Sequence, residues 1–334
     1  MSLYPGLDAP KPPLYNKLWV TAFFILLGLG IGATYYATKS VDYIWRWYTV
    51  PQYFVYKDNV ETLSEMEGLV ASITAKGEQS EILIRGVGEE ASYLVPTEGI
   101  QVDVDQFVYE EDVLASVEQW KTGLLLYGLW ITLKVSLISS VFALVIGIAT
   151  GLARISNNPA LRWMSITYIE LVRGSPLLVQ MMIWYFVIGA LVNKLIAGWG
   201  IGAIPTIWFG VLSLALFTGA YTAEIVRAGI QSIHVGQMEA ARSLGMSYPE
   251  SMRKIILPQA IKRILPALAG QFISLIKDSS LLGVISIREL TKITREVVTT
   301  SLQPFEFWIV CALLYLLLTF GLSLLVQHLE RRAI

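Results

Sequence analysis

Long apolar runs separated by short polar stretches dominate the chain. Leu18–Thr38 and Val135–Ala153 contain 21 and 19 residues without a charged side chain, and about 20 apolar residues suffice to cross the hydrocarbon core of a bilayer. Shorter or interrupted runs indicate four further spans, at Pro176–Asn193, Thr206–Ala223, Ile264–Ile287 and Phe307–Gln327. The pattern therefore predicts an all-α polytopic membrane protein with six transmembrane helices.

Between the first two spans the pattern changes to short alternating runs. Leu69–Thr74, Glu81–Arg85 and Gln101–Asp105 alternate between apolar and polar residues, which predicts β-strands, with turns at Gly77 and Gly99. The predicted organisation is a cytoplasmic tail at residues 1–17, a transmembrane anchor at 18–38, a small β-rich extracytoplasmic domain at 39–121 and a transmembrane domain at 122–330.

The charge distribution predicts an orientation in the membrane. Hydrophobic residues make up 54% of the chain and charged residues only 15%. Residues 51–121 hold fifteen Asp and Glu against four Lys and Arg, and most of the other cations fall on alternate connections. Because cytoplasmic loops are enriched in Lys and Arg, we expect a multi-pass protein of the bacterial inner membrane with both termini in the cytoplasm. Arg288, Lys292 and Arg295 oppose this trend.

Several kinds of chemistry have no candidate residues in the sequence. The chain lacks a glycine-rich phosphate-binding loop that ends in Gly-Lys-Ser. Cys311 is the single cysteine, and neither His234 nor His328 has a metal-ligating partner at helical spacing. We therefore expect no catalytic residue, no cofactor and no metal site, and we expect Cys311 to serve in packing.

The polar stretch Glu239–Pro258 predicts two short helices joined by a tight bend. The first helix is predicted to carry Ala240, Ala241 and Leu244 on one side, and Gly245 is suited to the left-handed conformation that ends a helix. Ser247 and Glu250 have the spacing of a capping box, with a proline in the first turn of the second helix, and Pro258 is predicted to close the unit. A DNA-binding helix-turn-helix is an alternative interpretation, but apolar spans on both sides and the scarcity of exposed cations disfavour it.

The same stretch resembles the EAA loop of binding-protein-dependent ABC transporter permeases. The resemblance is carried by Glu239-Ala240-Ala241, by Gly245, which nine residues separate from Ile255, and by Ile255-x-Leu257-Pro258. It implies that residues 236–260 form a cytoplasmic coupling helix whose residues Glu239, Ala240, Ala241, Gly245, Ile255, Leu257 and Pro258 engage an ATPase subunit.

Three other segments resemble the polar amino acid branch of that family, which transports histidine, glutamine and arginine-type substrates. They are Leu171–Gln180, which contains Arg-Gly-Ser-Pro-Leu-Leu-Val-Gln, Tyr221–Arg227, and Leu275–Leu281, which contains Lys-Asp-Ser-Ser-Leu. The resemblance covers about residues 123–330 and implies a MetI-like bundle that is not itself an enzyme. The implied partners are an ABC ATPase dimer, a second permease subunit in a homo- or heterodimer, an extracytoplasmic solute-binding protein, an amino acid substrate and membrane lipid, but no nucleic acid.

Polar residues within predicted spans are candidates for a substrate path. Charges inside a membrane are costly and tend to face a bundle interior or a wet cavity. The candidates are Ser175, Gln180, Tyr221, Glu224, Lys277 and Asp278. The alternative is that they stabilise helix packing; Glu224 and Arg227, three residues apart, are expected to pair.

Two questions about function stay open at this point. The buried charges would also suit a secondary amino acid transporter, and the helix-turn-helix would suit a membrane-tethered regulator. The acidic domain is hypothesised to help a solute-binding protein associate through complementary charge, against the alternative of a passive spacer.

Overall fold

The computed structural model describes residues 13–333 of the chain, and the side chains of residues 14–328. Two compact units are present, residues 1–48 and residues 49–334. In the first, helix α1 (Pro13–Ser40) contains the predicted anchor and extends beyond it at both ends. Most of its side chains between Leu14 and Ser40 are exposed, and after it the indole rings of Trp45 and Trp47 stack with centroids 5.6 Å apart.

The second unit begins with a β-rich region of two sheets. Its strands are β1 (Val55–Leu63), β2 (Gly68–Lys76), β3 (Gln79–Arg85), β4 (Glu90–Pro96), β5 (Phe107–Val108) and β6 (Val113–Thr122). Antiparallel β1 and β6 form a two-stranded ribbon, and the other sheet has the order β4-β3-β2-β5. Buried side chains from β2, β3, β4 and β6, namely Val70, Ile82, Ile84, Val95 and Leu114, form the core.

The predicted strand at Gln101–Asp105 is wrong. This segment is a loop with a turn: the Asp103 amide donates to Gln106 Oε1 and Asp105 has a φ of 69°, which is incompatible with an extended strand. The two strands predicted around Gly77 are confirmed, and Gly77 itself has a φ of 76°.

Among residues 13–333, six helical segments are long and apolar enough to cross a membrane. After α1 they are α2 (Leu124–Arg154), α4 (Leu177–Ala197), α5 (Thr206–Gln231), the segment Tyr248–Ile285, and α10 (Pro304–Ala333). The number and order agree with the prediction, but α2 and α5 extend well past the charge-free runs. Lys134 and Glu224 therefore lie within helices rather than at their ends.

Helix α3 (Pro159–Arg173) occupies a segment that was predicted to be a polar connection. Asn158 caps it by accepting a hydrogen bond from the Ala160 amide at 2.9 Å, and a proline at the first position favours helix initiation. The Tyr168 hydroxyl donates to the Leu216 carbonyl at 2.5 Å, so α3 packs against the middle of α5.

Parallel packing of α2 against α5 forms the centre of the bundle. A Cβ atom on Gly147 would lie 2.3 Å from Thr222 Cγ2, and one on Gly151 would lie 2.8 Å from the Ala223 carbonyl oxygen. Nearer the start of α2, Ser139 Oγ donates to the Val211 carbonyl. Because contact positions increase together along both helices, α2 and α5 end on the same side.

Segment Tyr248–Ile285 is continuous where the sequence predicted a boundary. Pro258 does not close the preceding unit: it is the second residue of α8 (Leu257–Asp278). The π-helical turn Met252–Ile256 joins α8 to the short α7 (Tyr248–Ser251). The predicted interruption of the fifth span is confirmed, since α8 gives way to a 3₁₀ helix at Ser279–Ile285.

The remaining helices are α6 (Val235–Ser243) and α9 (Leu290–Ser301). Helix α9, which the sequence pattern did not predict, packs against the start of α2, where Gly128 faces Leu290 and Ile293. Cys311 is buried beside α9 in an apolar cluster with Leu125, as the packing role predicted.

Candidate functional site: the polar loop and the bundle it joins

The bend between α6 and α7 is formed by a Schellman motif. Gly245 has a φ of 81°, and its amide donates to the Arg242 carbonyl at 3.0 Å, while the Met246 amide donates to the Ala241 carbonyl at 3.1 Å. These are the two hydrogen bonds that satisfy the last carbonyls of a helix. The predicted left-handed glycine is confirmed.

Capping groups define both helix starts in the loop. The Glu250 amide donates to Ser247 Oγ at 3.4 Å and the Ser247 amide donates to Glu250 Oε2 at 3.2 Å, so the predicted capping box is confirmed. His234 caps α6, because its Nδ1 accepts from the Gly236 amide at 3.1 Å. The conformation of the loop is thus specified locally by its own polar groups.

An apolar cluster fixes this loop to the ends of α5 and α8. Ile255 and Leu257 are half-buried and pack against six buried residues of α5, α8 and the segments beside them. These residues are Val226, Ile230, Ile233, Ile256, Ala260 and Ile264. Arg263 Nη1 donates to the Ser232 carbonyl at 2.6 Å. The loop is therefore attached to two membrane helices at once.

The motif residues divide into an internal and an external set. Ala241 is buried and Ile255 and Leu257 are half-buried, whereas Glu239, Ala240, Gly245 and Pro258 are exposed. Three of these exposed residues and their exposed apolar neighbours are called the loop face, which consists of Val235, Glu239, Ala240, Leu244, Gly245 and Tyr248.

Leu244 is the residue that the sequence interpretation misplaced. It was grouped with Ala240 and Ala241 on one apolar side of α6, but it is 84% exposed, and Ala241 alone of the three is buried. Exposed apolar side chains that are grouped together and rimmed by polar residues are typical of protein–protein contacts. The arrangement of the loop face is that of a contact surface.

An ion cluster around Glu224 and Arg154 links three helices. Its Oε2 lies 2.8 Å from Arg227 Nη2, which confirms the predicted pair, and its Oε1 lies 2.7 Å from Arg154 Nη1 at the end of α2. Arg154 Nη2 also approaches Glu170 Oε1 of α3 at 3.9 Å. Arg154 is recognisable in the sequence as the first charge after a long apolar run, whereas its contact with Glu224 is not.

Gln180 and Ser175 close the break between α3 and α4. Gln180 Nε2 donates to the Val172 carbonyl at 2.7 Å, to Ser175 Oγ at 2.9 Å and to the Ser175 carbonyl at 3.1 Å, and Ser175 Oγ donates to the Leu171 carbonyl at 2.9 Å. These contacts satisfy carbonyl groups that the end of a helix leaves free. Beside the break, the guanidinium of Arg173 lies 5.2 Å from the ring centre of Tyr221.

Lys277 and Asp278 lie at the end of α8, away from the contacts made by Gln180 and Glu224. Lys277 lines a cavity of about 280 Å³ together with Thr291, Cys311 and Tyr315. The six candidate substrate residues thus form three groups, one at the α3–α4 break, one on α5 and one at the end of α8.

A second cavity, of about 320 Å³, lies between α2, α5 and α8. No feature of the sequence predicted it. Ser140, Thr218, Thr222 and Gln271 contribute its polar groups. The Thr218 hydroxyl is buried and has no hydrogen-bond partner in the structure, so it is available to a polar occupant. Within residues 13–333, no group of three His, Cys, Asp or Glu residues is placed to hold a metal ion.

Comparison with known proteins identifies the class. Residues 143–334 match the family described as the binding-protein-dependent transport system inner membrane component. The match covers more than half of the chain, and the chain belongs to this family. It is therefore a multi-pass translocation subunit of the inner membrane with a MetI-like permease fold, and ATP hydrolysis in such systems belongs to a separate ATPase.

Two individual relatives within this family are similar to the chain over most of their own length. The chain is 40% identical over 205 residues to the probable glutamine ABC transporter permease protein GlnM of Bacillus subtilis (strain 168), covering 61% of this chain and 91% of that protein. It is 37% identical over 209 residues to the glutamine transport system permease protein GlnP of Escherichia coli (strain K12), covering 63% and 92%.

A solved structure agrees with these relatives. A chain of "an amino acid ABC transporter with histidines" shares 39% identity and a TM-score of 0.56, covering 63% of this chain and 94% of that chain. Each of these three matches leaves more than a third of this chain uncovered, and the family match begins only at residue 143, after the β-rich region.

The α3–α4 break yields a test of the role of Gln180. We expect Gln180→Leu to lower the free energy of unfolding by about 1–3 kcal/mol, because it leaves buried carbonyl groups without donors. Thermal unfolding of the purified protein in detergent measures this, with Gln327→Leu, at an exposed position, as the matched control. Equal melting temperatures for the two variants would show that the Gln180 contacts do not stabilise the break.

Proposed function

We propose that the chain is the permease subunit of an ABC importer for polar amino acids, coupled to a cytoplasmic ATPase through the loop face and supplied by a soluble binding protein. The observation that carries the proposal is the loop itself. It exposes Leu244 on a bend that is capped at both ends, and it is fixed to α5 and α8 by a buried apolar cluster. The glutamine permeases among its relatives support the substrate class.

The loop face is proposed to bind the ATPase. One such bundle provides half of a transport pathway, so the partners are a second permease subunit, identical or homologous, and an ATPase dimer in which each ATPase subunit binds one loop. Exposed Leu244 and Tyr248 supply apolar contact area, and Glu239 supplies a charge at its edge. Of the motif residues, Ala241, Ile255 and Leu257 maintain the shape of the loop, and Gly245 maintains its bend.

The orientation is proposed from the cations. The ends of α2 and α5, the starts of α3 and α8, and the loop lie on one side of the bundle and carry Arg154, Arg162, Arg227, Arg242, Arg253, Lys254, Lys262 and Arg263. The excess of Lys and Arg supports a cytoplasmic location for this side. The domains then follow as a cytoplasmic tail at 1–17, an anchor at 18–38, an extracytoplasmic β-rich domain at 39–121 and the permease domain at 122–330, with both termini in the cytoplasm.

The substrate path is proposed to involve the polar groups of the bundle interior. Tyr221 and Glu224 lie on α5, and the cavity beside Thr218 adjoins the same helix. Ser175 and Gln180 contribute chiefly by maintaining the helix break, and Lys277 and Asp278 contribute at the far end of α8. The energy for movement comes from ATP hydrolysis by the partner.

A secondary transporter is the alternative, and ATP dependence distinguishes the two. The test is uptake of radiolabelled glutamine into proteoliposomes that contain this chain, its ATPase and its binding protein. Uptake that requires ATP and is indifferent to ion gradients supports the importer. Uptake driven by an ion gradient without ATP would exclude it.

Gly245 provides a test of coupling. Positive φ costs a residue with a Cβ atom roughly 1–2 kcal/mol, and more for a β-branched side chain. We expect Gly245→Val to lose most ATP-dependent uptake and the stimulation of ATPase activity by loaded binding protein, with normal membrane insertion. Gly245→Asn, which tolerates this conformation, is expected to retain both activities. Wild-type transport by Gly245→Val would contradict the coupling role.

Topology is tested with single cysteines at two exposed positions, Glu89 and Lys254, in a Cys311→Ser background. With the chain produced without its ATPase, we expect the cysteine at position 89 to react with a membrane-impermeant maleimide in cells whose outer barrier has been opened. The cysteine at position 254 should react only after the inner membrane is permeabilised. Labelling of both from one side would show that the number of spans between them is even.

The β-rich domain is proposed to help the binding protein associate. All four cations of residues 51–121 are in ion pairs, Lys57–Glu118, Lys76–Glu81, Arg85–Glu90 and Lys121–Asp58. The hydrogen bond that Lys121 donates to Asp58 raises the pKa of Lys121, and those that Glu81 accepts from Lys76 and Ser92 lower the pKa of Glu81. The eleven other carboxylates of residues 51–121 have no ion-pair partner among the described residues.

Seven of these carboxylates meet at one end of the domain. Backbone hydrogen bonds from Val70 to Gln106 and from Glu111 to Ser64 join segments 64–70 and 103–112, at the end of the β1–β6 ribbon farther from α2. This acidic tip contains exposed Leu69, Val104, Phe107 and Tyr109 among Glu65, Glu67, Asp103, Asp105, Glu110, Glu111 and Asp112. An aromatic centre with a charged rim suits a partner whose surface is basic and partly apolar.

Neutralising the acidic tip tests this role. We expect Asp105→Asn, Glu110→Gln and Glu111→Gln together to lower the association rate of the binding protein severalfold at low salt, with a smaller effect at high salt because exposed charges are screened. Stopped-flow association is the measurement. The control removes the same number of charges elsewhere, by Glu61→Gln, Glu89→Gln and Glu98→Gln. Equal rates for the two triple variants would exclude the tip as the contact.

A further inference from the structure

A polar cavity of about 550 Å³ lies where α2 ends and α3 begins. Its polar wall consists of Arg154, Ser156, Asn157, Arg162 and Gln231, and no Asp or Glu lines it. We call it the junction cavity. Arg162 is exposed and has no ion-pair partner in the part of the chain that the structure describes.

The polar wall has the chemistry of an anion site. The guanidinium groups of Arg154 and Arg162 match the oxygens of a phosphate in charge and in geometry. Pro159, the first residue of α3, also lines the cavity, so the partial positive charge of the helix start adds to that of the two arginines. An occupant with a negative charge is therefore favoured over a neutral one.

The opposite wall of the junction cavity is apolar. It consists of Ile155, Trp163 and Ile166, and Trp163 is 68% exposed. On α2, exposed Ile148 and Leu152 precede Ile155 by seven and three residues, which places all three on one helix face. This stripe runs from the cavity along a helix long enough to cross the membrane. A free phosphate ion would not contact this apolar stripe, whereas an acyl chain would pack along it.

We propose that the junction cavity binds an anionic phospholipid, with its phosphate between Arg154 and Arg162 and an acyl chain along Leu152 and Ile148. A zwitterionic choline lipid fits less well, because its quaternary ammonium would lie among arginines. Arg154 already contacts Glu224 and Glu170, so the bound headgroup joins the ion cluster that links α2, α3 and α5. The proposal does not depend on the identity of the transported substrate.

Lipid titration of the full-length protein tests the site. Thermal unfolding of the chain in phosphatidylcholine nanodiscs is compared with that in nanodiscs of increasing phosphatidylglycerol content. Phosphatidylglycerol is expected to raise the melting temperature of the wild type. Arg162→Gln is expected to require about tenfold more of it for the same shift, since a hydrogen bond to a charged group contributes about 1.4 kcal/mol or more. Arg253→Gln, which removes an exposed cation from the loop, is the matched control and should behave as the wild type.

Further measurements distinguish a lipid phosphate from a free phosphate ion and control for misfolding of the variants. Inorganic phosphate in phosphatidylcholine nanodiscs should give no shift, and Trp163→Ala, a change at an exposed side chain, should weaken the phosphatidylglycerol effect. Arg162→Lys should restore part of it and shows that the position tolerates substitution. A full shift with inorganic phosphate, a melting temperature that does not change with phosphatidylglycerol content, or equal losses in Arg162→Gln and Arg253→Gln would each overturn the proposal.

Discussion

The close packing of α2 against α5 is the contact on which the rest of the bundle depends. A Cβ atom on Gly147 would overlap Thr222, so even alanine would force the helices apart. Lipid chains are as apolar as the helix surfaces, and close packing rather than water exclusion therefore drives such contacts in a membrane. Because the two helices run parallel, the approach at Gly147 and Gly151 also brings Arg154 beside Glu224. The ion cluster and the junction cavity both follow from it.

The second constraint is that polar groups inside the bundle must form hydrogen bonds with one another. A helix break opposite the middle of α5 leaves carbonyl groups that water does not reach in a bilayer. Gln180 lies one turn after Pro176, so its amide can reach back to the end of α3, and Ser175 completes the closure. The Arg-Gly-Ser-Pro-Leu-Leu-Val-Gln segment thus has a structural explanation that does not involve the substrate.

The sequence predicted those features that local chemistry determines. The left-handed Gly245, the capping box at Ser247 and the pairing of Glu224 with Arg227 each depend on residues a few positions apart. The family of the chain was likewise predicted from motifs that residues 143–334 confirm. Features that depend on distant residues were missed, including helix α9, the contact of Arg154 with Glu224, and the cavity beside Thr218.

The errors have physical causes as well. Gln101–Asp105 alternates like a strand, but alternation does not show that the Gln106 side chain will bind the Asp103 amide and end the pattern. Pro258 was interpreted as a terminator because proline often follows a helix, although the same residue is favoured in a first turn. Span ends were placed at charges, whereas Glu224 is neutralised by two arginines and stays within α5.

The arrangement of these contacts explains how a small loop could act on the whole bundle. The loop is fixed to α5 and α8 by the cluster around Ile230 and Ile264, so a force on Leu244 reaches both helices together. Helix α5 is in turn joined to α2 by tight glycine contacts and by Glu224–Arg154. Packed helices with discrete ion pairs move as units rather than deform continuously. Displacement of the loop by the ATPase that we propose as its partner is therefore expected to shift α2, α5 and α8 relative to the α3–α4 break. The guanidinium of Arg173 lies over the ring of Tyr221 at this break, and such a shift would disturb that contact.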